Sequence, residues 1–261
     1  MRICFLLTRH PPGHVSPIMP EVRRLLADRG VEVEVIYPDD QLTYLVDAGS
    51  QRDLYVLKSG TEAALSLAGA LHADGAEILN PHPVAAAFRD KIVTTRFLAR
   101  AGVPVPESWC TADPSVLAPL LKGGPIVVKP YRGHQGRGVR VVRDAQELGE
   151  VERNGPIFAQ RHHEPQGLDR KIYRIGDELF GVMRVWPPRT YEQKLGEPFA
   201  VTGELRDIAL RCGEPFGIDL YGIDVVVSDG RPYVVDCSSF PGFKGVPEAA
   251  LRLADYIEGY A

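Results

Sequence analysis

IVVKPYRGHQGRGVRVV, residues 126–142, decides how this chain is to be read. It opens as an apolar strand ending in Lys129-Pro130, runs through a loop carrying Gly133, Gly136 and Gly138, and closes on the β-branched stretch Val139-Arg140-Val141-Val142. Glycines let backbone N–H groups approach an anion closely, because no Cβ intervenes and positive φ is permitted. A lysine at the end of the preceding strand adds a point charge for the same phosphates. The loop joins two strands and opens no helix, which argues against a dinucleotide fingerprint, where the loop must feed a helix N-terminus. The pattern points to a hairpin closing over phosphates. By itself a glycine-rich hairpin is most often a plain turn, so its weight depends on what surrounds it.

At 261 residues the chain is near the size at which one core stops growing, so two or three small modules are expected. The 30 basic and 34 acidic residues leave a formal net charge of -4, which suggests neither nucleic acid nor an anionic membrane as partner. Cys4, Cys110, Cys212 and Cys237 form no C-x-x-C pair and no metal-ligand spacing, which suits a reduced, cytoplasmic protein. The opening MRICFLLTRHPP is too short an apolar run for a signal peptide, and no run approaches transmembrane length.

Outward from the loop, strands are expected at 2–8, 31–37, 53–57 and 77–79, alternating with helices at 17–29 and 61–73. That alternation predicts a small Rossmann-like α/β module over residues 1–88. A helix at 90–101, a Pro-rich strand at 103–109, a helical 116–121, the glycine hairpin, a helix at 145–152 and a strand at 158–160 follow. Beyond these, hairpins at 171–185 and 221–237 turn at Gly176-Asp177 and Asp229-Gly230, a helix spans 201–210, and another closes the chain at 247–260. Residues 89–160 and 161–261 therefore read as two α+β subdomains with antiparallel sheets.

Three further features carry chemistry. Arg89-Asp90-Lys91 opens a helix, and its plain reading is an acidic residue favourably placed at the helix N-terminus. Asp224 and Asp236 lie on the two arms of one hairpin, so both carboxylates can share a face; beside phosphates such a pair suits Mg²⁺, a hard ion that prefers oxygen ligands. Ser238-Ser239-Phe240-Pro241-Gly242-Phe243-Lys244-Gly245 is a tight loop before the last helix, either a simple connection or an anion cradle.

In this order, Asp90-Lys91, GVPVP, VVKP with GHQGRG, FAQRHHEP, GLDRKIYRIGDELFGVMR, YGIDVVV and VVDCSSFPGFKG resemble the ATP-grasp superfamily and its RimK-like branch, across roughly residues 88–261. The resemblance implies ATP held between two subdomains. Lys91 and Lys129 would contact its phosphates, and Gly133, Gly136 and Gly138 would form a mobile lid. The backbone of the hinge formed by Gln160, Arg161, His162 and His163 would read the adenine. Arg184 and Lys244 would act near the transferred phosphoryl group, and Asp224, Asp236 and Ser238 would hold Mg²⁺, with Mn²⁺ as a substitute. The implied reaction phosphorylates a small-molecule or peptide carboxylate to an acylphosphate, which an amine-type nucleophile attacks. A homodimer is the default oligomer.

Two departures stand out. Such ligases usually carry Glu-x-Asn where this chain has Asp236-Cys237-Ser238, and a hydroxyl is a weaker ligand than an amide oxygen. The hinge has Arg161-His162-His163 where an acidic residue often follows the glutamine, and the histidine pair reads as structural, no third ligand lying at a recognisable spacing. Three other functions fit parts of the chain. Lys171, Asp236 and SFPGFKGVP also resemble inositol polyphosphate kinases of the same superfamily, in which Arg170, Lys171, Arg174, Arg184 and Lys244 would line an anionic pocket. The altered metal strand admits a non-catalytic nucleotide-binding module. His14–Pro20 echoes nucleotide-sugar glycosyltransferases, which need a second Rossmann half that this length does not accommodate.

Overall fold

The computed structural model describes residues 1–9, 16–43, 52–133, 136, 138–153, 155–185 and 190–261. The chain opens with β1 (Arg2–Leu6), α1 (Ile18–Asp28), β2 (Glu32–Ile36), β3 (Leu54–Leu57), α2 (Glu62–Ala73) and β4 (Ile78–Leu79). The four strands make a parallel sheet in the order β2-β1-β3-β4. Parallel strands are covered on both faces and so read as continuous apolar runs; RICFL and LYVL do so. Cys4, Leu6, Tyr55 and Leu57 pack toward α2, whereas Ile3, Phe5, Leu54 and Val56 pack toward α1 and toward residues from the far end of the chain.

Two helices, α3 (His82–Arg89) and α4 (Lys91–Arg100), lead into β5 (Ser108–Thr111), a 3₁₀ segment Pro114–Gly123, β6 (Ile126–Pro130), β7 (Arg140–Val142), α5 (Ala145–Gly149) and β8 (Ile157–Arg161). These strands form an antiparallel sheet ordered β5-β8-β6-β7. Asp90 caps α4 by accepting hydrogen bonds from the N–H groups of Ile92 and Val93. The helix expected at 116–121 is 3₁₀ because Pro119 inside it has no N–H to donate. The strand expected from residue 103 starts only at Ser108, Pro104 and Pro106 lacking ladder donors.

The remainder comprises β9 (Asp169–Ile175), β10 (Glu178–Arg184), α6 (Tyr191–Leu195), β11 (Glu197–Phe199), α7 (Gly203–Gly213), β12 (Leu220–Ser228), β13 (Arg231–Ser238) and α8 (Ala249–Tyr260). Its antiparallel sheet runs β11-β10-β9-β12-β13. One face, with Ile172, Tyr221, Ile223 and Val225, packs on α7 and on Phe88 and Leu98 from the preceding helices. The other face carries Tyr173, Ile175, Val182 and Leu220 and joins one core with α8, the loop residues Phe240 and Phe243, and the first sheet. The described residues hold a single parallel sheet, so the second Rossmann half of a glycosyltransferase is not built; residues 14–15 of the motif that suggested it lie outside the described residues.

Asn80, 2 % exposed, pins the first module to the third. Its Nδ2 donates to the carbonyls of Leu220 (2.8 Å) and Ser239 (2.5 Å). Asn80→Ala leaves both buried carbonyls short of a donor and is expected to cost about 2–3 kcal/mol, read as a lowered urea midpoint at constant slope; an unchanged midpoint would show that the contact is idle.

Candidate active site

The site is built by strand alternation. Successive residues of a strand face opposite sides, so Asp169, Lys171 and Tyr173 of β9 share a face with Phe180, Val182 and Arg184 of β10, their cross-strand partners. Asp224 of β12 lies opposite Lys171. On β13 the phase is corrected by a β-bulge: Asp224 pairs with Asp236 and Val225 with Val234, leaving Val235 as the extra residue. Val234 can thus face the core while Asp236 and Ser238 face the site. Gly222 stands opposite Ser238, and a Cβ there would meet Pro241 at 2.9 Å.

Cations surround the carboxylates. Lys91 Nζ donates to Asp236 Oδ1 (2.8 Å), Lys171 Nζ to Asp224 Oδ2 (2.8 Å) and Arg184 Nη2 to Asp224 Oδ1 (3.0 Å). Burial pushes the Asp236 carboxyl up, but the ammonium groups of Lys91 and Lys129 outweigh it and hold the group below its ordinary value. For Lys171, burial favours the neutral amine, yet Asp224 and Tyr173 together leave its pKa raised. Asp169 is pushed up to about 6, by burial first and by the neighbouring Asp224 second.

Lys129 comes from the other antiparallel sheet. Its neighbours on the β6–β8 ladder place Phe158 and Gln160 on the same side and Ile157, Ala159 and Arg161 on the opposite side, against the core of that subdomain. Lys129 Nζ donates to Gln160 Oε1 (2.7 Å) and to the Val235 carbonyl (2.9 Å), the residue at the bulge. At 8 % exposure, burial lowers its pKa to about 8.

The described residues of the glycine loop lie against Pro130 and Arg89. Gly136 and Gly138 both take φ of +71°, and a Cβ on Gly138 would lie 2.8 Å from the Pro130 ring. Gly133 N–H donates to the Pro130 carbonyl, and Arg89 Nη1 reaches the Gly133 carbonyl at 3.3 Å. Arg132 pairs with Glu62 of α2 at 3.0 Å. His134, Gln135 and Arg137 of the expected lid lie outside the described residues.

The structure thus brings together Lys91, Lys129, Gln160, Arg184, Asp224 and Asp236, with Ser238 next along the same strand face. It does not bring in the side chain of Arg161, whose Nη1 donates to the carbonyls of Gly124 (2.7 Å) and Pro125 (3.3 Å) and whose guanidinium lies over Trp109. The N–H groups of Arg161 and His162 are already committed to Glu107 and Pro125 carbonyls. His163 stacks on Tyr233 at 3.8 Å between ring centroids, and burial lowers its pKa. Arg170 and Arg174 fall on the far face of β9, where Arg174 lies over the Tyr221 ring and donates to the Gly176 carbonyl, so the broad cationic pocket of the kinase reading loses two members. Sequence reading passed over Asp169, Lys58 and the Arg89 side chain. Strand period exposes the first in retrospect; the other two depend on how the first module meets the lid and the Phe240 loop, which no local pattern encodes.

Among the described residues no three His, Cys, Asp or Glu side chains form a metal cluster. The donor set of two carboxylates and a serine hydroxyl is all oxygen and incomplete without phosphate oxygens, which is how Mg²⁺ is usually held between protein and nucleotide. The residues fit that ion.

The Lys129 shift has a measurable consequence. In the unfolded chain the amine titrates near 10.5 and in the folded chain near 8, so between these values the unfolded state binds more protons and stability rises with pH. Wild type should gain on Lys129→Met by up to ~1.4 kcal/mol per pH unit from pH 8 upward; parallel stability curves for the two proteins would refute the buried charge.

Comparison with known proteins gives the same picture. Residues 88–257 match the RimK-like ATP-grasp domain. The chain is 27% identical over 201 residues to the alpha-aminoadipate–LysW ligase LysX of Saccharolobus solfataricus, covering 70% of this chain and 73% of that one. It is 26% identical over 207 residues to the ribosomal protein bS6–L-glutamate ligase of Shigella boydii, covering 72% and 69%. A RimK domain ATP-grasp protein from Sphaerobacter thermophilus superposes with a TM-score of 0.78 over 100% of this chain and 99% of its own, at 19% identity. The chain belongs to the RimK-like ATP-grasp family and is an ATP-dependent carboxylate–amine ligase.

Proposed function

We propose that the protein uses ATP and Mg²⁺ to activate the carboxylate of a small molecule or peptide as an acylphosphate and joins it to an amine. The relatives named above act on an amino acid together with a carrier or ribosomal protein, so an amino acid is the first amine to try. The observation that carries this reading is the Asp224–Asp236 pair, side by side on one face and ringed by Lys91, Lys171 and Arg184.

In this reading Lys91 and Lys129 meet nucleotide phosphates, with Gln160 orienting Lys129 through its 2.7 Å bond. Asp224, Asp236 and Ser238 hold Mg²⁺, which neutralises phosphate charge. Arg184 and Lys171, both paired with Asp224, turn toward the transferred phosphoryl group. Such chemistry asks for positioning, charge neutralisation and exclusion of water more than for covalent help from the protein. Gly133, Gly136 and Gly138 supply the last by letting the lid loop lie over the phosphates.

A thermal-shift titration with ATP, ADP and AMPPNP, with and without Mg²⁺, tests the site. Ligand at 100 times its dissociation constant adds about 2.7 kcal/mol of stability, and Mg²⁺ should deepen the shift. No shift with any adenine nucleotide would sink the reading. Asp236→Asn should keep its fold yet lose Mg²⁺-dependent ADP release; a fully active variant would place the metal elsewhere.

A further inference from the structure

Lys91, Lys171 and Arg184 each meet a carboxylate, but two lysines at the edge of the site do not. Lys58 follows β3 at the carboxyl end of the parallel sheet. Its ammonium donates to the Phe240 carbonyl (2.9 Å) and lies 5.4 Å from the Phe240 ring. The charged group facing it is another cation, Lys244. Lys244 in turn lies 5.3 Å from the Tyr191 ring and faces Lys194 and Arg184. Among the described residues neither lysine has an ion-pair partner. Beside them Arg184 Nε is buried without a hydrogen-bond partner among the described residues, although its Nη2 is held by Asp224.

Like charges gathered in a partly buried place destabilise the fold, and here the backbone holds them there. Phe240 and Phe243 anchor the loop in the core with rings edge to face at 5.8 Å, and Phe243 takes φ of +48°. Gly245, at φ +82°, sits so close to α6 that a Cβ would lie 2.1 Å from the Leu195 carbonyl oxygen. This packing fixes Lys244 between the two buried phenylalanines and α6. Strain of this kind is retained where it positions a functional group. Burial, and for each lysine the neighbouring cations, also lower both pKa values, Lys58 to about 8, as expected of a site whose counter-ion arrives with a ligand.

We propose that Lys58 and Lys244, backed by Lys194 and the free Nε of Arg184, form a subsite for a second anionic group of the acceptor, a carboxylate or phosphate distinct from the carboxylate that is activated. The assignment rests on the carboxylate-activating reading above. It makes the preferred acceptor a dianion and Lys58, supplied by the N-terminal module, a specificity residue.

Calorimetric titration of the full chain with glutarate, adipate, 4-phosphonobutyrate and butyrate, each with saturating Mg²⁺ and AMPPNP, tests this with the nucleotide phosphates already in place. The dianions should bind at least roughly 10-fold tighter than butyrate, and the ranking of phosphonate against dicarboxylates identifies the anion. Lys58→Met should erase that preference while leaving AMPPNP affinity unchanged, and Lys58→Arg should retain it; Lys244→Met gives an independent check if Lys58→Met does not fold. Equal binding of butyrate and the dianions, no measurable binding of any dianion, or a preference that survives both methionine variants overturns the subsite. Failure of AMPPNP to bind would instead strike the ATP-site reading, and the same anion comparison without nucleotide would still decide the subsite.

Discussion

One extra residue in one strand sets the geometry of the site. Val235 is the bulge of β13, and without it strict alternation would put Asp236 on the same side as Val234, in the apolar core against α7. The bulge turns Asp236 toward Asp224 and at the same time leaves the Val235 carbonyl free to receive Lys129 from the opposite sheet. The carboxylate pair and the bridge between the two antiparallel subdomains therefore share a cause. A buried ammonium is costly unless paired, so Lys129 is tolerable only while Gln160 and Val235 both accept from it.

The electrostatics of the site are those of a place awaiting polyanions. Asp236 is kept ionised by the lysines around it despite its burial, and Lys171 stays charged because Asp224 faces it. In the proposed reaction, phosphate groups would compete with these carboxylates for the cations, and a divalent ion would take the carboxylates. Exchange of internal ion pairs for ligand contacts in this way limits the net cost of desolvating charge on binding.

Much of this was legible in the sequence. The β-branched run after Gly138 excluded a helix and with it the dinucleotide fold, and the turns at Gly176-Asp177 and Asp229-Gly230 marked both hairpins. Lys129, Asp224 and Asp236 stood out by type and spacing, and the structure brings them together. The Arg161 side chain turns away from the site for a reason also in the sequence: it is one residue from Gln160 on a strand, so the two must face opposite ways, and the hinge expectation there concerned the backbone. The bulge was not legible, since nothing in PYVVDCS, residues 232–238, tells which residue will be the extra one until a partner strand is present. Lys58 escaped for a related reason: its role depends on packing between segments about 180 residues apart.

The last helix covers the first sheet. α8 shares a core with Ile3, Phe5, Val22 and Leu26, and Arg29 beside α1 pairs with Asp255 and Glu258. During synthesis the N-terminal strands therefore emerge long before the helix that shields one of their faces. Contacts of such wide sequence separation form late, and the parallel sheet must wait with an apolar face exposed until α8 has emerged and docked. Throughout that interval the nascent chain carries an apolar, aggregation-prone surface that only a segment more than 200 residues downstream of β1 can cover.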